Sequence, residues 1–272
     1  MAKADNPGVS VLDSRLIKDV DPGEDGQPWF DLMKHLHLRP TENMRYVNRR
    51  WVKGCEDRFN FGESVFIPLA DAGRVMDRIF SDPSHIHEAC NFGTEIPDVT
   101  PSIMLIGHDL KNDTDYLQKL NFTPKHVQGK LDTQRLARIS KKQPPGLTKL
   151  LAALAIDAKN LHNAGNDAAY TLQAMIGVAV QEHRQPGEIV RKLKAAKEIS
   201  DAAKLAKKAK AAQRALAREN KTKSTVRVHT GPGAKTEVLP TTKNDATGQP
   251  EESRREHKSR VRLVRQDKEE GS

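Results

Sequence analysis

The apolar positions of this chain fall into short runs that change period along its length. Residues 9–12 (VSVL) predict a short strand, followed by an acidic, turn-rich loop, DVDPGEDGQPW, at 19–29. Residues 30–50 mix His35, His37, Arg39, Arg45, Arg49 and Arg50 with scattered apolar side chains, a pattern that reads as a helix or an irregular excursion. WVKG at 51–54 and SVFIPL at 64–69 predict strands on either side of the polar loop CEDRFNFGE. In ADAGRVMDRIF (70–80), Val75, Ile79 and Phe80 share one side of a helix.

The second half alternates. SIMLIG (102–107) is the most apolar run and predicts a strand buried on both faces. A helix then carries Asp113 in its opening turn, with Tyr116, Leu117 and Leu120 on one face. VQGKLDT (127–133) predicts a strand, and GLTKLLAALAI (146–156) a compact helix. In 164–181, Ala169, Leu172, Ile176 and Val180 recur at helical spacing. Short strands followed by alternating strand and helix predict an α/β domain with a mixed sheet.

Beyond residue 186 the large apolar side chains thin out. Residues 187–219 are rich in Ala and Lys and predict a solvated helix whose Ile189, Leu193, Ile199, Leu205 and Leu216 form only an irregular stripe. From Asn220 the chain is polar, charged and punctuated by Pro and Gly, a composition that favours disorder. The expected organisation is therefore a folded domain over 1–185, an Ala/Lys-rich helix over 186–220 and a basic tail over 221–272.

Charge sharpens this division. Residues 181–272 hold 23 Lys and Arg against 13 Asp and Glu, a net of +10, whereas residues 1–180 sum to −1. A basic tail attracts polyanions by releasing their counterions, and nucleic acid is the usual partner. Cys55 and Cys90 are the two cysteines, too few for a disulfide framework, which favours a reducing compartment, cytoplasmic or nuclear. No run reaches the roughly 20 apolar residues of a membrane span, and MAKADNPG is not a secretory signal. HIHEAC (85–90) groups His85, His87 and Cys90, but a structural zinc site needs four ligands and no partner cluster follows. SRVRLVRQ (259–266) reads as a solvated charge run, with a short strand or a nuclear import patch as alternatives.

Two stretches carry candidate chemistry. In IMLIGHDLKNDTDYL (103–117) and LHNAGNDAAYTLQAM (161–175), a His precedes an Asp by five residues where a loop enters a helix. Acidic residues favour first helical turns in any case, so one such motif is weak. Two, each with apolar flanks, point to paired carboxylates held on rigid helix starts. Asp113 and Asp167 would suit Mg2+, which takes oxygen ligands, and His162 is placed as a general base.

On these residues the chain resembles the DEDDh, or DnaQ-like, 3′–5′ exonucleases of the ribonuclease H-like superfamily. GHDLKNDTDYL is similar to their second motif, with Asp109 where the family carries Asn, and LHNAGNDAAYTL to their third. The resemblance implies a ribonuclease H-like sheet flanked by helices. It also implies Asp113 and Asp167 as ligands of Mg2+ or Mn2+, and His162 as base. His108, Asp109 and Asn163 would lie against substrate or behind the ligands. LDTQRLAR (131–138) is similar to the family's Asp-Thr strand, in which Asp132 is more structural than catalytic. VKGCEDRFNFGESVF (52–66) and HNAGNDAAYTLQAM resemble a fungal Gfd-like branch, and the likeness covers roughly residues 9–180.

The family's first motif, Asp-x-Glu on a central opening strand, has no match. VSVLDSR (9–15) offers Asp13 but puts Arg15 where the Glu belongs, and it matches the family's second strand better. The chain thus reads as lacking its first strand, a truncation rather than a pseudoenzyme that kept the strand and lost the acids. Metal affinity should fall with the lost carboxylates, and the neighbouring strands should be left with unpaired edges. The expected activity is binding of single-stranded RNA or DNA without turnover. The rivals are an active exonuclease whose first exon is missing and a scaffold that binds a protein through residues 187–219.

Overall fold

The computed structural model describes residues 6–44, 54–99, 101–137 and 144–228. Contacts divide the chain into two units, Met1–Ala211 and Ala212–Ser272. The strands all lie in the first unit, and the described part of the second is helical.

Strand β1 (Gly8–Val11) pairs antiparallel with β2 (Lys34–Pro40). Between them the acidic loop carries a one-turn helix α1 (Gln27–Phe30), pinned by the Trp29 indole N–H donating to the Val20 carbonyl at 2.8 Å. β2 pairs in parallel with β3 (Ser64–Ile67). This middle strand is the one departure from the expectation of a helix or irregular excursion at 30–50. Its residues from Leu36 to Pro40 are buried on both faces, His37 and Arg39 included. Buried polar side chains conceal the apolar alternation that marks a strand. The strand expected at 51–54 lies outside the described residues, apart from Gly54.

Helix α2 (Ala72–Ser81) buries Val75, Met76, Ile79 and Phe80 on one face. They pack with Leu36, Leu38 and Ile67 from β2 and β3. β4 (Ile103–Gly107), α3 (Leu110–Lys119) and β5 (Val127–Asp132) form a parallel β-α-β unit. Leu120 and Phe122, just past α3, join the same core as α2. The four-residue α4 (Thr133–Leu136) and α5 (Leu147–Ala153) follow.

α6 (Ala164–Arg184) is the pivot of the unit. Its first turn lies directly on the sheet. A Cβ at Gly8 would collide with the Ala164 carbonyl, and one at Gly165 would stand 2.7 Å from His37 Cβ and from Phe59. Only glycine allows that approach. Further along, Leu172, Ile176 and Val180 pack with Phe30 and Met33, while Tyr170, Ala174 and Val178 pack with Leu150 and Leu151. α7 (Glu188–Val228) begins within that second group through Ile189 and Leu193, so the folded core reaches past residue 185. The helix extends to Val228, eight residues into the stretch expected to be disordered; residues 229–272 lie outside the described ones.

The α/β class and the flanking helices follow the sequence, but the described strands make two sheets, β1-β2-β3 and β4-β5. Val9 and Val11 of β1 pack in the same core as Ile103 and Leu105 of β4, and Leu12 and Ile106 share the core under α6. The two sheets therefore share their cores on both faces, with no ladder between β1 and β4. The break falls where the family resemblance would put a central opening strand. β4 was expected to be buried on both faces, yet its Met104 is 50% exposed.

Candidate functional site

The first His–Asp loop starts where β4 ends. Asp109 turns the chain into α3 through a left-handed backbone (φ 72°), a conformation that Asp tolerates better than most residues. Asp132, at the end of the neighbouring β5, holds this turn: its carboxylate accepts the N–H groups of Asp109 and Leu110, both at 3.3 Å, and that of Gln134 at 2.9 Å. One carboxylate thus caps two helix starts. The Thr133 hydroxyl donates to the Gly107 carbonyl at 3.1 Å, so it accepts from His108 Nδ1 at 2.8 Å. This fixes His108 as the Nδ1–H tautomer, and burial keeps the imidazole's pKa below its usual value. Asp113 folds back from the first turn of α3 to accept the backbone N–H of His108, over a Gly107 that has no room for a Cβ.

The second loop closes the same way. His162 has a left-handed backbone (φ 72°), and its N–H donates to Asp167 Oδ1 at 3.1 Å. Asn163 caps α6 by accepting the N–H of Asn166 at 3.1 Å, and its amide donates to the carbonyls of Cys55 and Glu56, both at 3.2 Å. Asn166 is fully buried. It accepts the N–H of Asn60 at 2.8 Å and donates to the carbonyls of Arg58 (2.7 Å) and Asn160 (3.0 Å). Asn60 in turn donates to Lys159 O at 2.8 Å and accepts from Asn160 at 2.7 Å. The loop at 54–60 is thereby laced to the loop at 159–167. The Cys55 thiol joins the lacing by donating to the Asn160 carbonyl at 3.1 Å, and burial pushes its pKa up.

The two loops meet electrostatically. Desolvation raises the pKa of Asp113 to about 6, helped by the negative charges of Asp109, Asp132 and Asp167 and opposed by the His108 N–H. Asp113 is exposed as a residue, but its carboxylate lies against the backbone of Gly107. Burial likewise raises Asp167, against the His162 N–H and ring. Carboxylates driven upward by desolvation, with neighbouring negative charge added at Asp113, are groups that a cation would relieve. Asp113 and Asp167 are thus the candidate ligands, each with one oxygen already engaged by a backbone N–H. Among the described residues, no group of three or more His, Cys, Asp or Glu is arranged to hold a metal ion. Two carboxylates fall short of a two-metal centre, which needs carboxylates around both ions.

Comparison with known proteins bears directly on this geometry. The family described as the DNA polymerase III subunit epsilon-like, C-terminal domain matches residues 6–178, which include both loops and all five strands. The chain belongs to this DEDDh family. The DEDDh domain is similar to the uncharacterized nucleolar protein C2C4.08 of Schizosaccharomyces pombe, at 31% identity over 54% of this chain and 53% of that protein. It is also similar to two Saccharomyces cerevisiae proteins. One is the uncharacterized protein YDR514C, at 26% identity over 59% of this chain and 36% of the relative. The other is the Good for full DBP5 activity protein 2, at 28% identity over 57% and 30%. The chain matches about half the length of the first relative and about a third of the other two. DEDDh domains normally use divalent metals, and the ancestry of this one is in nucleic-acid processing.

Within the DEDDh domain, Asp113, Asp167 and the exposed His162 stand at the two loop mouths. Asn163 is wholly buried as a cap and clamp, and His108 is a latch between β4 and α4. Asp109 shapes its turn and accepts from the Asn112 amide at 2.5 Å. Sequence reasoning missed Asn60 and Asn166 as the lacing residues, although both sit inside phrases (CEDRFNFGE and HNAGND) whose polarity was conspicuous. At the HIHEAC segment, His85 Nδ1 is 2.8 Å from Asp82 Oδ2 in a local cap.

Proposed function

We propose that this chain is a nucleic-acid-binding DEDDh protein that holds a divalent cation weakly on Asp113 and Asp167 and does not turn over substrate as it stands. The observation that carries the reading is that the charge of Asp167 reaches Asp113 while, among the described residues, no group of three or more His, Cys, Asp or Glu is arranged to hold a metal ion. Phosphodiester hydrolysis in this style depends on cations clamped by several carboxylates to stabilise both the attacking and the leaving oxygen. Two ligands would orient a single Mg2+ or Mn2+ and its waters. His162, exposed beside Asp167, is positioned to take a proton, but the electrophilic half of the site lacks ligands. The ligand class is single-stranded RNA or DNA. The nucleolar relative supports a nuclear location, and no described helix is long and apolar enough to cross a membrane.

The test is digestion of a 3′-labelled single-stranded oligonucleotide in Mg2+ or Mn2+. The expected result is binding without shortening. Shortening that disappears in Asp113→Ala and in Asp167→Ala would overturn the claim of inactivity.

A second reading is favoured by the division between β1 and β4, two strands that share their cores but not a ladder. A further strand ending in Asp-x-Glu and seated there would satisfy both edges and bring two more carboxylates to the Asp113–Asp167 pair. On this reading, a chain carrying such a strand digests the oligonucleotide and the present one does not.

A further inference from the structure

The DEDDh domain has a difficulty as a nucleic-acid binder. Residues 1–180 carry a net charge of −1, and the candidate site gathers Asp109, Asp113, Asp132 and Asp167. A phosphate approaching it without a cation meets repulsion. The attraction has to come from elsewhere in the chain.

α7 supplies it. Over 202–211 (AAKLAKKAKA) the helix holds Lys204, Lys207, Lys208 and Lys210 and no acidic residue. All four are exposed, as is Lys197 two to three turns earlier. At the angular step of an α-helix, these five fall within an arc of about 160° and span roughly 20 Å of axis. Asp201 lies at the rim of that arc, 3.4 Å from Lys204, and Glu198 on the far side. The opposite face presents Ala202, Leu205, Ala206, Ala209 and Ile199. Ile199 and Leu205 are 72% and 70% exposed.

The faces discriminate among partners. A bilayer-binding or groove-binding helix needs a broad face of large apolar side chains, and here alanine dominates that face. The lysine face is continuous and exposed and carries point charges on flexible stems rather than planar base-reading groups, which suits a sugar–phosphate backbone. We propose that the Lys197–Lys210 face of α7 is a sequence-independent docking surface for the backbone of single-stranded nucleic acid. This rests on the nucleic-acid-binding reading above and assigns its affinity to the helix rather than to the acidic site.

The experiment compares the full chain with its K204A/K207A/K208A/K210A variant by fluorescence anisotropy of a labelled single strand across a KCl series. Alanine preserves helix propensity, and circular dichroism confirms that α7 persists. Each lost phosphate contact removes ~0.7 from the slope of log K against log salt, so the variant should bind at least about tenfold more weakly with a slope about 3 smaller. A wild-type chain that binds no oligonucleotide overturns the nucleic-acid reading itself. Wild-type binding with unchanged affinity and slope in the lysine variant overturns the assignment to α7 alone. An I199S/L205S variant should bind normally, and loss of oligonucleotide binding there overturns the assignment to the lysine face. Sedimentation with phosphatidylserine-containing vesicles that is tighter than oligonucleotide binding would make it a lipid surface instead.

Discussion

The backbone N–H of His162 is held by the carboxylate of Asp167, five residues ahead in the chain, and the N–H of His108 is held in the same way by Asp113. The spacing that first suggests metal chemistry therefore has a structural use on both loops. Each Asp closes its own loop by holding the N–H of the His that precedes its helix, while Asp132 and Asn163 cap the helix starts themselves. Each carboxylate thus accepts a backbone N–H within its own loop.

The raised pKa of Asp113 sets a pH dependence. Its folded value, about 6, lies above the ordinary 3.8, so the folded state binds the proton more tightly. Stability from this group is fully present below pH ~4, declines as pH rises toward ~6 and is level above that. Asp167 shifts in the same direction. Urea unfolding across this range should show Asp113→Asn losing less stability on going from pH 4 to pH 7 than the parent. An equal or steeper decline in the variant would contradict the crowding of Asp113.

The lacing of the two loops predicts a large cost at a single amide. Asn166→Ala removes the acceptor of the Asn60 N–H and the donor to two carbonyls in a fully buried place. The loss should be ~3 kcal/mol. Asn60→Ala, at an exposed position, keeps the N–H that Asn166 accepts and loses side-chain bonds, those to Lys159 and Asn160 among them, so it should cost about half as much; the double variant should fall short of the sum because both side chains hold Asn160. Additive losses in denaturant titrations would mean the loops are not coupled.

Gly165 is the point where α6 meets the sheet. Gly165→Ala places a methyl group 2.7 Å from His37 Cβ and from the Phe59 ring. Backbone cannot yield there without moving α6, so the substitution should destabilise by about 1–3 kcal/mol despite alanine's better helix propensity. Gly146→Ala, where nothing lies within 4 Å of the added carbon, is the control and should be near neutral. A thermal midpoint for Gly165→Ala equal to that of the control would remove the close approach.

The periodic segments were legible because their burial is one-sided. Val75, Ile79 and Phe80 announce α2, and Leu172, Ile176 and Val180 announce α6, before any fold is known. The two His–Asp loops were likewise legible from local spacing, since each Asp holds the N–H of the His five residues before it. β2 was illegible for the opposite reason: His37 and Arg39 are buried by partners distant in sequence, such as the Ser64 hydroxyl 2.8 Å from His37 Nδ1.

By itself, then, the sequence determined the α/β class, the helices, the two loops and the neutral-then-basic division of charge, all of which depend on short-range pattern or simple summation. Only the tertiary structure decided that the sheet is divided between β1 and β4, that Asn60 and Asn166 lace the loops, and that Asp132 caps two helices at once. These depend on hydrogen bonds and packing across many tens of residues, where pairing is set by geometry that no local pattern encodes.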